Sequence, residues 1–151
     1  MSKQQTGIDV QFAVSADGVP PADDISRWVQ GVLPADHRQA ELTVRVVDEA
    51  EITALNREYR GKEGATNVLS FPYTAMPGVS TALLGDVVIC APVVASEAVA
   101  QNKPLEAHWA HMVVHGVLHL LGYDHQQDSE AQQMENRETE LLAGLGYAAP
   151  Y

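Results

Sequence analysis

The chain has 151 residues, of which 46% are hydrophobic and 19% charged, so one globular domain spanning residues 1–151 and holding a real core is expected. A formal net charge of -11 argues against broad electrostatic attraction to nucleic acid or anionic membrane, while leaving room for a locally positive cleft. Met1-Ser-Lys-Gln-Gln5 is too polar for a secretory leader and no apolar run reaches the length of a membrane span, so a soluble, cytoplasmic protein with no membrane partner is expected.

Residues Gly7 to Val14 alternate apolar and polar through Ile8, Val10 and Phe12, the pattern of a half-buried strand. Pro20-Pro21 opens a helix through Ile25, Trp28 and Val29 that should end near Gly31 and Pro34. Glu41 to Val47 reads as a second strand, with Leu42, Val44 and Val46 on one face. Asp48 is placed to cap the next helix and Glu51 to complete a capping box, with Gly61 as the stop. Asn67 to Phe71 is a third strand ended by Pro72, and Tyr73 to Ala82 a turn-rich loop. Leu83 to Cys90 is a fourth strand whose Gly85 marks a bulge or a close approach. Helices over 92–101, 104–121 and 128–143 complete an α+β domain, a mixed sheet of about four strands packed against about five helices. Cys90, the one cysteine, reads as a small hydrophobe in its strand and excludes a disulfide within the chain.

The 104–121 helix concentrates the chemistry. At about 100° per residue, His108, His111, His115 and His119 fall within an arc of roughly 80°. Trp109, Met112, Val113, Val114, Val117, Leu118, Leu120 and Leu121 make the other directions apolar, so the helix should be buried. Imidazoles in a core need hydrogen-bond or metal partners to offset their desolvation. His115 and His119, at i and i+4, can offer two nitrogens to one ion, and imidazole suits zinc. Gly122 lets the helix end and the chain turn back, bringing His125 toward the same ion. This H-x-x-x-H-x-x-G-x-x-H frame is also that of metzincin proteases. Gly116 stands where those enzymes carry their general-base Glu, which turns the expectation from peptide hydrolysis toward phosphate chemistry. His108 and His111 are expected to support the ligands or the core, and His37 to be solvated beside Asp36. Arg60, at a helix end before a glycine loop, is either a helix C-terminal cation or a guanidinium that grips phosphate. Asp86 is either a bulge residue or a partner that orients a ligand histidine.

The stretch His115-Gly-Val-Leu-His-Leu-Leu-Gly-Tyr-Asp-His125 resembles the signature of the YbeY family of bacterial zinc-dependent endoribonucleases, also called rRNA maturation factors. The likeness continues through Asn56-Arg-Glu-Tyr-Arg60, Thr66-Asn-Val-Leu-Ser-Phe-Pro72, Leu84-Gly-Asp-Val-Val-Ile89, and Met134, Glu135, Glu138 and Leu145-Gly146, covering roughly residues 40 to 147. The resemblance implies a single-strand-specific RNase acting in 16S rRNA 3′-end maturation and ribosome quality control. It implies one zinc ion on His115, His119 and His125, with Arg60 and His115 as catalytic residues. Ribosomal RNA, the small ribosomal subunit and ribosome-associated proteins are the implied partners. Many members carry Asp where this chain has Asn67. Two rival readings are a non-catalytic small-subunit assembly factor with structural zinc, which a fourth protein ligand such as His111 would favour, and a metalloprotease.

Overall fold

A computed structural model describes residues 7–15, 17–37, 39–73, 82–124 and 127–150. Four strands, β1 (Ile8–Phe12), β2 (Glu41–Val47), β3 (Val68–Pro72) and β4 (Leu83–Cys90), form one sheet in the order β1-β2-β4-β3. β1 and β2, and β2 and β4, run parallel, while β3 runs antiparallel along β4 at the edge. Five helices accompany them: α1 (Ala22–Val32), α2 (Glu49–Arg60), α3 (Ala91–Ala100), α4 (Leu105–Leu120) and α5 (Asp128–Leu145). The expected mixed sheet with five helices in one α+β domain is what forms.

The period-2 alternation of the strands splits the core between two faces. Leu42, Val44 and Val46 of β2 and Val87 and Ile89 of β4 meet Ile25, Trp28 and Val29 of α1 and the apolar sides of α4. The opposite face, with Val47, Leu69, Val88 and Cys90, is covered by Ile52 and Leu55 of α2. Cys90 is fully buried there, as a small hydrophobe should be, and burial pushes its thiol pKa up. α4 lies at the centre, touching α1, α3, α5, β3 and β4; Trp109, Ala110, Val113, Val114, Val117 and Leu118 are sealed from water.

Local signals account for the element ends. Asp48 accepts the Glu51 amide at 2.9 Å and caps α2. The reciprocal half of the expected box is diverted: Glu51 takes two hydrogen bonds from Arg45 on β2, at 2.6 and 3.1 Å. A guanidinium on the adjacent strand offers this carboxylate a charge-assisted pair that the Asp48 amide cannot match. Gly85 fulfils both expectations made of it. β2 and β4 shift register between Glu41 and Leu42, and Gly85 has φ 138, with an added Cβ lying 2.2 Å from the Phe71 carbonyl. Pro72 is the last residue of β3 rather than a stop outside it, tolerated because β3 is an edge strand. Most of the expected Tyr73–Ala82 loop lies outside the described residues.

Candidate metal centre and RNA cleft

Four imidazoles run along α4, with ring centres 6.1 Å apart from His108 to His111, 6.3 Å from His111 to His115 and 4.7 Å from His115 to His119. Each has a distinct setting. His108, 2% exposed, meets Glu97 of α3 at 2.9 Å. Burial holds its pKa below the usual histidine range, against the opposing pull of that hydrogen bond. His111 meets one oxygen of Glu138 through Nε2 at 2.8 Å, and His115 meets the other through Nδ1 at 2.6 Å. Glu138 comes from α5 and is sealed from solvent. His119 Nδ1 lies 3.0 Å from the Tyr123 carbonyl.

These partners fix the tautomers of the two rings nearest the cleft. A carbonyl only accepts, so Nδ1 of His119 carries the hydrogen and its Nε2 presents a lone pair. An ionised Glu138 imposes the same tautomer on His115. The two Nε2 atoms stand 3.2 Å apart. Two ligand nitrogens at the usual Zn–N distance on a tetrahedral ion are separated by about 3.3 Å, so a lone-pair couple at this spacing fits a shared cation. A carboxylate or carbonyl behind each imidazole is the arrangement that fixes ring orientation and raises ligand basicity.

The second partner is delivered by the end of α4. The Gly122 amide bonds the His119 carbonyl at 3.1 Å and the Tyr123 amide bonds the Leu118 carbonyl at 3.0 Å, a Schellman motif with Gly122 at φ 105. The left-handed residue expected at Gly122 thus turns the chain back and carries the Tyr123 carbonyl onto His119. The chain is described as far as Asp124, on the cleft wall; His125 lies outside the described residues.

His111, His115 and Glu138 also present three donor atoms within 4.8 Å of one another, a buried group that could hold a metal. An ion there would displace the two short hydrogen bonds just described. The His115 and His119 pair instead opens onto a cleft of about 630 Å³. Arg60, Lys62, Asn56, Asn67 and Ser70 line the same space, so Arg60 is brought to the two histidines as the sequence suggested. Two cations in the wall of so acidic a chain give the local positive setting that net charge alone left open; Arg57, their sequence neighbour, is not in that wall.

Gly116 is explained by packing. An added Cβ would lie 2.5 Å from Val87 Cγ1 and 3.3 Å from Val68 Cγ2, so position 116 faces the sheet. Its carbonyl accepts the Ser70 hydroxyl at 3.0 Å, binding α4 to the edge strand. A carboxylate at this position would be driven into β4.

A match to the family model described as endoribonuclease YbeY extends over residues 13–146. The chain belongs to the YbeY family. Its fold is similar to the solution structure of TM1509 from Thermotoga maritima, with a TM-score of 0.63 and 25% identity over 89% of this chain and 86% of that one. YbeY membership gives the chain an endoribonuclease role in rRNA processing, in a metal-dependent family of hydrolases.

Several site features escaped sequence reasoning. Glu138 was visible only as part of the family likeness, because nothing in its helical surroundings tells a buried carboxylate from a solvated one. Asp86 is exposed and pairs with Phe71 across β3 and β4, so the orienting role considered for it falls to Glu138. Asn67 accepts the Val68 amide at 2.7 Å and donates to both oxygens of Glu97 at 3.1 and 3.2 Å. Asn56, 5% exposed, donates to the Gly64 carbonyl at 3.0 Å and so secures the loop that follows Arg60. An asparagine in the last turns of a helix, a poor helix former, was the available signal for that role. His37 sits in the short 3-10 turn Ala35–His37 and pairs with Asp36 at 3.0 Å, away from the cleft.

Proposed function

We propose that the chain is a zinc-dependent, single-strand-specific endoribonuclease that matures the 3′ end of 16S rRNA and serves ribosome quality control in the cytoplasm. One ion is held by His115, His119 and His125, and Arg60 grips the phosphate at the cleavage site. The observation that carries this reading is the His115–His119 Nε2 pair, 3.2 Å apart and opening onto the cleft that Arg60 lines. Gly122 turns the chain toward the site three residues before His125, which supports His125 as the third ligand. When bound, zinc supplies a Lewis acid for phosphoryl oxygen and a lowered pKa for water. Glu138 and the Tyr123 carbonyl hold the two ligand rings, and the Arg60 guanidinium offers parallel N–H donors to phosphate charge. The low general affinity for polyanions expected at net charge -11 supports targeting by the small ribosomal subunit or its proteins.

The test is cleavage of single-stranded small-subunit rRNA fragments by zinc-loaded protein of verified stoichiometry. Arg60→Ala should lose about 100-fold in rate, the scale of one transition-state donor; His115→Ala and His119→Ala should lose zinc as well as activity. Equal cleavage by all of them would reject the reading. Product ends separate the attacking groups, since a 2′,3′-cyclic phosphate requires the substrate's 2′-hydroxyl and rules out direct attack by water.

The buried His111, His115 and Glu138 group favours a second reading, a closed structural zinc in a non-catalytic assembly factor. Under it His119→Ala would keep its zinc. The protease reading has weaker support, because position 116 faces Val87 and Val68 and offers no place for that family's general base.

A further inference from the structure

Tyr59 is the penultimate residue of α2, directly before Arg60, and it remains 61% exposed. The Phe71 ring packs against it at 5.6 Å with planes 72° apart. Among the described residues Tyr59 makes no other side-chain contact of a polar or aromatic kind. Phe71 follows Ser70 on β3 and, by the alternation of the strand, turns its ring to the α2 side of the sheet, while Arg60 at the end of the same helix lines the cleft wall. The edge-on support from Phe71 therefore braces the Tyr59 ring one residue before Arg60, the cation in the cleft wall, while most of the ring's surface stays in water.

We propose that the Tyr59 ring, braced by Phe71 beside Arg60, is a stacking step for an unpaired base, and that it makes the cleft selective for single-stranded RNA. The proposal deepens the nuclease reading and rests on it. A nucleotide offers a charged phosphate and a flat base, and consecutive residues at the end of α2 present a guanidinium and a flat ring. Bases in a duplex are stacked on one another and turned inward, whereas a single strand can splay one onto an exposed aromatic face. Stacking also suits an acidic protein, because it adds affinity that salt does not screen, unlike the phosphate contact.

The probe is a fluorescently labelled single-stranded oligoribonucleotide with 2′-O-methyl groups, which blocks attack by the 2′-hydroxyl, used with the zinc-loaded full chain and checked on a gel to be intact after each titration. Tyr59→Ala should weaken binding by about 5- to 150-fold, the range for loss of one stacked base. Tyr59→Phe should keep it within about twofold, since the ring face is what counts. Tyr59→Leu covers Phe71 without offering a π face and should behave like the alanine variant. Phe12→Ala, at the far edge of the sheet, removes a 40% exposed ring outside the cleft and should match wild type. The salt dependence of binding should stay unchanged in Tyr59→Ala and flatten in Arg60→Ala. Equal binding by wild type, Tyr59→Leu and Tyr59→Ala would overturn the proposal, as would a wild type that fails to bind the probe. The expected binding differences in a wild type that cuts no unmodified RNA would uphold the stacking step and reject the nuclease reading.

Discussion

Replacing Glu138 by glutamine removes one acceptor from a place where two imidazoles need one each. The carboxylate is sealed from solvent and meets His111 and His115 at 2.8 and 2.6 Å. A glutamine has one oxygen and one NH2, so one imidazole then faces a donor and must move its own hydrogen to the opposite nitrogen. If that ring is His115, the hydrogen arrives at Nε2, the atom that looks at His119. If it is His111, His115 keeps its tautomer and loses the charge behind it. Hydrogen bonds to charged groups contribute about 1.5–3 kcal/mol and neutral ones about 1, so the fold should lose about 1–3 kcal/mol. Zinc affinity should fall about 10- to 100-fold, the usual effect of altering a group that orients a ligand. Competition with a chromogenic chelator reads the affinity, and guanidinium unfolding of the metal-free protein reads the stability separately. Affinity unchanged within about twofold would refute the orienting role. A far larger loss in Glu138→Gln, together with undiminished affinity in His119→Ala, would mean that the buried carboxylate is itself a ligand.

Three other expectations test the surroundings of the site. Gly116→Ala pushes a methyl to 2.5 Å from Val87 Cγ1 and should destabilise by about 1–3 kcal/mol; combined with Val87→Ala it should cost less than the two single changes summed, as read by a double-mutant cycle in chemical denaturation. Because burial lowers the folded-state pKa of His108, below about pH 6.5 the unfolded chain takes up a proton that the folded one resists. Stability should therefore fall with acidification through that window, and the difference between wild type and His108→Gln should shrink as pH drops from about 8 to 5; a constant difference in thermal midpoint would contradict this. Asn67→Asp sets a carboxylate against both oxygens of Glu97 and deletes two donated hydrogen bonds, for an expected loss of about 1–3 kcal/mol in urea unfolding.

Sequence signals with a local cause were legible. β2 and β4 have the bounds expected of them, and α2 runs from its Asp48 cap to Gly61 because both residues act on the backbone beside them. The histidine row on α4 was legible for the same reason, since helix geometry alone sets the angles between its members. What pairs with each imidazole was not. Glu138 and Glu97 lie 23 and 11 residues from His115 and His108, on other helices, and only the packing of α3 and α5 against α4 brings them into reach. At Gly116 the sequence shows only the chemistry that glycine withholds, while the structure supplies a steric cause in Val87 and Val68. Strand order was equally hidden: β4 inserts between β3 and β2, with Val87 and Ile89 in one core cluster and Val88 and Cys90 in the other.

If the proposed ion sits on His115 and His119, their placement on α4 governs how the protein handles it. Their helix is the most enclosed in the molecule's described part, and each ring is anchored through Nδ1, by Glu138 or by the Tyr123 carbonyl. Ordering of these two imidazoles is accomplished by the core itself, so the proposed site is the reverse of a zinc finger, where the ion organises an otherwise unfolded chain. Chelation should then leave the far-ultraviolet dichroism of the protein intact. Metal exchange becomes a property of the cleft mouth, decoupled from unfolding, and activity can follow metal supply while the protein itself persists.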